Sequence, residues 1–431
     1  MASEIAPNRL VPFRWPAGWT PDHLKLLAGS PINCLLINDP GQSIDAAARA
    51  AGLEVREWSS LSPAPLAKVR WDGSAPIVAV TEVAWPQIKP MERGANAEAG
   101  PTGVPWIDST SWVARLAASR APSKQVWLGC DPPGDQVLTA RAYRLAIADC
   151  AATGARWMIS LDPKLAAGIA AGNAEALATW QQMSDTLAFF EKRAAWRSYR
   201  QRGPLGVIST FAGDNEFMST EVLNLAARRN LLYRVIDRSV AGSDDLGGLR
   251  AVLWVDPEKP SATLTTKLSA FARGGGLLIV SRAAAAAFPG ERNLDCAVAG
   301  YDLRAFGKGG VASPQRDWDD PYFVALDSHN LISRRYDPVR VFNGSSLWVH
   351  YSADPRGTAS LIQFVEFAGG RRGGGVSGSV VSLRIQYPHG AVQIHTMESG
   401  TARPLEPVRV GKDVEYHLPS FSVYAALEVT A

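Results

Sequence analysis

Cysteine is scarce in this chain. Four are found in 431 residues, Cys34, Cys130, Cys150 and Cys296, scattered and mostly within apolar runs. That spacing argues against a disulfide framework or a thiolate metal site and predicts free, buried thiols. Histidine is scarce where it would matter most. Of six, only His23 precedes residue 300; the others are His329, His350, His389, His395 and His417. The N-terminal two-thirds thus has almost no imidazole for a Ser-His-Asp triad or a histidine-ligated metal, and any chemistry there must use carboxylates. An excess of either charge is also missing: 44 Lys and Arg face 41 Asp and Glu, a net of +3. Neither nucleic acid nor an acidic substrate is implied. No run approaches the ~18 consecutive apolar residues of a membrane-spanning helix. The start, MASEIAPNRLVPFRW, lacks the features of a signal sequence. The expectation is a cytoplasmic protein, or a secreted or periplasmic one whose signal has been removed.

What is present is a chain long enough for two or three domains, and its most informative stretch runs from Pro76 to Trp112. Ile77-Val78-Ala79-Val80 reads as a buried strand ending at Thr81-Glu82. About twenty-five residues follow that are neither helix nor strand, punctuated by Gly94, Gly100, Gly103, Pro86, Pro90, Pro101 and Pro105. Trp85, Trp106, Ile107 and Trp112 argue that this loop is ordered. A strand that ends in a carboxylate before an aromatic loop reads as the wall of a pocket.

Residues 1–202 alternate apolar strands and helices. Ile32–Asn38, Leu53–Trp58, Ile77–Val80, Gln125–Leu128 and Arg156–Leu161 are strands, with Leu10–Trp15 as a possible extra one. Leu138–Thr153 and Glu175–Tyr199 are helices. Repeated β-α-β units imply a parallel sheet, and sites in such sheets lie at the carboxyl ends of the strands. Asp39, Glu57 or Glu82, Asp131 and Asp162 stand at those ends. Taken singly, an Asp before Pro or before a helix is also a turn or cap residue.

The pattern restarts near Gly203. Leu205–Ser209, Leu232–Ile236, Leu249–Val255 and Leu277–Ser281 are strands, with helices over Phe217–Arg229 and Ser261–Arg273. This reads as a flavodoxin-like α/β domain over 203–326. Its Gly274-Gly275-Gly276 lies after a helix and before a strand, so it is a helix stop rather than a phosphate loop. No Gly-x-Gly-x-x-Gly follows any strand, and no cofactor is expected. A linker follows, containing Gly307-Lys308-Gly309-Gly310. From Asp327 to 431 the chain reads as all-β, with alternating runs and Gly-rich turns that suit a β-sandwich. Its histidines fall on different strands or turns, so no metal is expected.

A resemblance spans nearly the whole chain. LRAVLWVDPEKPSATLTTKLSAFARGGGLLIVS (249–281) resembles the glutamine-amidotransferase-like trimerisation domain of family-42-type β-galactosidases. The tail, from SLWVHYSADP through LPSFSVYAALEV, resembles the small sandwich that closes many such enzymes. Residues 1–202, with AVTEVAWPQI, AGPTGVPWIDS and DPPGD, are similar to the barrels of uncharacterised bacterial glycoside-hydrolase-like proteins. The resemblance implies a (β/α) barrel-like domain, incomplete on its strand count. The Asn-Glu pair that ends a strand in that clan is absent, and Thr81-Glu82 occupies a comparable setting. The middle domain, with only Cys296 and no histidine from 203 to 300, is not a glutaminase.

The expected function is hydrolysis of an O-glycoside by paired carboxylates. Glu82 is the expected acid/base, with Asp131 or Asp162 as the ionised partner. Apolar walls from Trp85 and Trp106 would favour the neutral form of Glu82. Trp85 and Trp106 are also the expected sugar platforms; Arg93 and Asp108, with Asp39 and Glu57, would contact hydroxyls. Pairing of Glu82 with Arg93, as a staple for the loop, is the competing role. The alternative function is an inactive, glycosidase-like carbohydrate-binding or assembly scaffold. Trp180, Phe189, Phe190 and Trp196 exceed what one helix face needs, so a homo-oligomer is expected.

Overall fold

The computed structural model describes residues 6–38, 43–88, 107–132, 137–242, 246–344, 346–368, 379–384, 390–411 and 413–430. Near the N-terminus, β1 (Pro12–Arg14), β2 (Cys34–Ile37) and β3 (Glu54–Glu57) form one parallel ladder. β4 (Ala64–Pro65) and β5 (Ile77–Thr81) begin another. Among the described residues, β6 (Gln87–Ile88) and β7 (Ile107–Asp108) pair with each other alone, antiparallel, on either side of residues 89–106. β8 (Gln125–Leu128) and β9 (Arg156–Trp157) then complete the second ladder, in the order β4-β5-β8-β9, again parallel. The two ladders meet where Phe13 bridges Ile159 in parallel, with the Arg14 amide donating to the Ile159 carbonyl at 2.8 Å. The strands therefore stand side by side in chain order, and the last of them joins the first. Between β3 and β4 no ladder is formed among the described residues.

Side-chain alternation shows how this array is filled. Leu10, Cys34, Leu36, Ile77, Ala79, Trp127 and Met158 form one buried cluster, the inner layer. The residues between them, among them Leu35, Ile37, Val78, Val80, Val126 and Leu128, belong to a second cluster shared with the helices. Both faces are buried, which is why these strands read as continuous apolar runs. The outer layer holds α1 (Ser43–Ala50), α2 (Ser111–Arg120), α3 (Ala140–Ala151), α4 (Pro163–Ala170) and α5 (Ala174–Glu191). Thr139 caps α3 through the Ala142 amide, and Asn173 caps α5. The helix expected through Tyr199 stops at Glu191 and gives way to a short 3-10 turn.

β10 (Arg200–Gln201) leaves this unit to pair with a strand near the C-terminus. The second sheet comprises β11 (Leu205–Ser209), β12 (Tyr233–Asp237), β13 (Ala251–Trp254), β14 (Leu277–Val280), β15 (Arg292–Leu294), β16 (Tyr301–Phe306) and β17 (Gly309–Pro314). Its order is β12-β11-β13-β14-β17-β16-β15, parallel as far as β17 and antiparallel beyond. α6 (Glu216–Arg228) and α7 (Ala262–Arg273) are its crossovers. Gly274 is the C-cap of α7 and Gly275 has φ +116°, the helix stop that the glycine triplet suggested. The expected linker is not one: Gly307-Lys308 is the two-residue turn of the β16–β17 hairpin, with Gly307 at φ +61°. Glycine runs look alike in linkers and tight turns, and only strand pairing separates them. Helix α8 (Pro321–Ile332), capped by Asp320, crosses the expected 326/327 boundary and packs on α6, where all-β structure was expected from Asp327.

The C-terminal part is a sandwich of β18 (Val339–Phe342), β19 (Leu347–Ala353), β20 (Ala359–Glu366), β21 (Val380–Arg384), β22 (Val392–Thr396), β23 (Arg403–Pro404), β24 (Val408–Val410), β25 (Asp413–His417) and β26 (Tyr424–Thr430). One sheet has the order β10-β19-β20-β26-β22-β23 and the other β18-β21-β25-β24. Val349, Phe364, Val381, Ile394, Tyr416 and Leu427 fill the space between. The aromatics of α5 are used within the chain. Trp180 meets Phe13, while Phe189 and Phe190 pack edge-on against Tyr424 of the sandwich. The surface that motivated a homo-oligomer is therefore largely covered. Among the described residues, no helix is long and apolar enough to cross a membrane.

Candidate active site

The inner layer of the strand array ends in Trp127 and Met158, and the next inward positions open onto a cavity. With a period of two, Arg14 at the end of β1 lies two steps past Leu10, Trp58 just after β3 lies one past Arg56, Thr81 on β5 one past Ala79, and Gly129 just after β8 one past Trp127. All four line one cavity of about 410 Å³, together with Glu82, Asp131, Cys130, Pro63 and Met158. All of these residues but Pro63, which precedes β4, lie at or near the carboxyl end of a parallel strand, where such arrays place their sites. A Cβ on Gly129 would stand 3.1 Å from the Met158 Cβ, so glycine is what lets Met158 lie across the floor.

Glu82 has the geometry of a constrained residue. Its φ is +58°, in the left-handed region, and its side chain is exposed to the cavity. For a residue with a Cβ this costs about 1–2 kcal/mol, and such strain collects at functional positions. Asp131 leaves the neighbouring strand β8 and is ion-paired with Arg14, whose guanidinium lies 4.4 Å from the Trp58 ring centre. Asp131 and Glu82 thus share one cavity. Cys130, which precedes Asp131 in the chain, also lines the cavity, and burial, then the nearby Asp131, pushes its thiol up to about 12. It stays protonated and is no nucleophile at neutral pH.

The other expected residues lie elsewhere. Asp162 is 1% exposed and does not line the cavity. Its Oδ1 accepts from the Leu165 amide at 2.9 Å, capping α4, and its Oδ2 accepts from the Tyr143 hydroxyl and the Leu138 amide. Trp85 is buried edge-on against Tyr143 and Trp157, at 5.5 and 5.1 Å, and faces the helices rather than the cavity. Glu57 is half-buried at the end of β3 and accepts from the Ser59 hydroxyl. Asp108, half-buried, sits opposite Gln87 in the β6–β7 pair. Asp39, Arg93 and Trp106 lie outside the described residues. Arg14, Trp58 and Met158 were missed as site residues, although strand parity alone would have marked the first two as inward-facing.

The returning end of the long loop has its own anchor. Asp149, fully buried on α3, accepts from the Ser109 hydroxyl at 2.8 Å and from the amide and hydroxyl of Thr110 at 2.6 and 2.7 Å. Burial raises its pKa, while these donors act to lower it.

No family model and no curated protein matches the sequence. Solved structures do match. α-L-Fucosidase isoenzyme 2 from Paenibacillus thiaminolyticus aligns with a TM-score of 0.50 at 12% identity, over 74% of this chain and 62% of that one. A catalytic mutant of a GH42 β-galactosidase from G. stearothermophilus aligns with a TM-score of 0.50 at 10% identity, over 75% of this chain and 56% of that one. The fold is glycoside-hydrolase-like. At this identity the likeness concerns the glycosidase-like fold alone, and the chain spans about three-fifths of each of these proteins.

Proposed function

We propose that the mouth of the strand array hydrolyses an O-glycosidic bond, with Glu82 as acid/base and Asp131 as the ionised partner. One observation carries this reading: two carboxylates from the adjacent strands β5 and β8 line a single cavity at the strands' carboxyl ends. Glycosidic cleavage needs one carboxyl to protonate the leaving oxygen and another to attack the anomeric carbon or activate water. Arg14 fixes the position of Asp131, and Trp58, Pro63 and Met158 give the cavity its apolar wall. Asp131 is preferred to Asp162 because the oxygens of Asp162 are engaged in the α4 cap. Trp58 takes the place expected of Trp85, which is packed in the core. Asp108 on β7 and, outside the described residues, Asp39, Arg93 and Trp106 are kept in this proposal as sugar ligands. In this proposal residues 1–202 are the glycosidase unit, supported by 203–326 and 327–431, with β10 and α8 lying across those boundaries.

The test is Glu82→Gln and Asp131→Asn assayed on a panel of aryl glycosides. Each variant should lose at least ~100-fold in rate, with a melting temperature close to that of the parent. Full activity in either variant would overturn its assignment. The scaffold reading is favoured by the missing ladder between β3 and β4. It gains if the parent cleaves no glycoside yet binds oligosaccharides.

A further inference from the structure

A second cavity, of about 390 Å³, opens at the amino ends of β11, β12 and β13, on the seam between the second sheet and the sandwich. It is remote in character from the first. Arg202, Arg234 and Arg250 line it, and no carboxylate does among the described residues. Neither Arg202 nor Arg250 forms an ion pair among the described residues. Asp244 and Asp245, which precede this edge in sequence, lie outside them. The Arg250 guanidinium lies 4.4 Å from the ring centre of Tyr336, and the Arg335 guanidinium lies 4.8 Å from the same ring. Arg202 and Arg250 thus present exposed guanidinium groups to the cavity, donors that an oxyanion can accept.

The rest of the wall says what else the anion carries. Tyr336 and Tyr351 contribute aromatic surface, and Pro338, Tyr351 and Ser360 continue into a small apolar recess formed with Val339, Ile362 and Leu383. The cavity is far larger than a bare sulfate or phosphate needs, and lies within the range of small-ligand sites. We propose that this cavity binds a ring-bearing organic anion, with Arg202 and Arg250 holding its carboxylate, sulfate or phosphate and Tyr351 with the apolar recess holding its ring. Guanidinium forks suit such oxyanions better than ammonium groups do. The site is independent of the glycosidase reading.

Isothermal titration of the full chain at low salt would use glucuronate, galactose 6-sulfate and adenosine monophosphate as probes, with galactose and inorganic sulfate as controls. At least one ring-bearing anion should bind saturably, and its identity separates an acidic sugar from a nucleotide source. Affinity should fall with added salt and fall at least tenfold in R202Q/R250Q, whose exposed side chains can be exchanged without touching the core. In E82Q it should stay within twofold, since Glu82 belongs to the other cavity. The single variant R202Q serves if the double variant does not fold. Binding of no probe, equal binding of galactose, equal affinity for bare sulfate, or undiminished binding in R202Q/R250Q would each overturn the proposal.

Discussion

Among single residues, Glu82 lines the candidate site with a left-handed backbone. A left-handed φ of +58° is unfavourable for glutamate and natural for glycine. Glu82→Gly should therefore raise stability by about 0.5–1 kcal/mol, after the extra chain entropy of glycine is subtracted, while glycosidase activity is lost. Urea denaturation of the parent and the variant checks the first half, an aryl-glycoside assay the second. A loss of stability greater than about 1 kcal/mol would mean that the glutamate side chain staples the loop, the structural role that pairing with Arg93 would give it. Cys130 shows the contrary lesson at the same cavity. It has the exposure of a wall residue, but burial and Asp131 keep its thiol neutral.

At the level of elements, the acids at the strand ends divide into two kinds. Asp131 follows β8 into solvent and meets a cation from β1, whereas Asp162 turns back and caps α4. Both precede proline, so the local sequence does not separate them. Asp162→Ala should destabilise the protein by about 1–2 kcal/mol, the usual worth of an N-cap, and leave glycoside turnover within a fewfold of the parent. A variant that melts normally but has lost turnover would return Asp162 to the catalytic set. The same division between local and distant partners governs the long loop, whose return at Ser109-Thr110 is fixed by Asp149 from α3, forty residues on.

Across the whole molecule, a buried contact joins α2 to the second sheet and to the sandwich. Arg115 on α2 lies over the Tyr233 ring of β12 at 4.4 Å and donates to the Nδ1 of His350 on β19 at 2.6 Å. Arginine can only donate, so Nδ1 must accept and His350 is neutral in the fold. Burial first, and Arg115 second, hold its pKa well below the ordinary 6.5. In the unfolded chain it titrates near 6.5. Below that pH the unfolded state takes up a proton that the folded state refuses, so stability falls as pH falls. The slope approaches about 1.4 kcal/mol per pH unit. Glu428 acts in a different window. Its hydrogen bond from His395 lowers its pKa, so its contribution is lost only as pH falls below about 4.5. Denaturation at pH 7.5, 6.5 and 5.5 should show the slope in the parent and a flatter one in His350→Asn, which keeps an acceptor but cannot take the proton. Equal slopes would assign the effect to another group.

Much of this was legible in the sequence, because burial leaves a local imprint. Gln125–Leu128 and Leu205–Ser209 were bounded correctly since short apolar runs between turn residues have few other uses. The glycines after Arg273 announced the end of α7, a matter of φ alone. Glu82 could be singled out because a strand ending in a carboxylate before a long loop is a local pattern. What folding alone decided depends on partners far along the chain. The pairing of Arg14 with Asp131 spans 117 positions, and no pattern around either residue reveals it. Trp85 was read as a sugar platform because its neighbours are polar, yet Tyr143 and Trp157 bury it. Gly307-Lys308 looked like a linker until two strands paired across it. Periodicity tells which face of an element is buried, but which distant side chains meet there is fixed only when sheets and helices close around a common core.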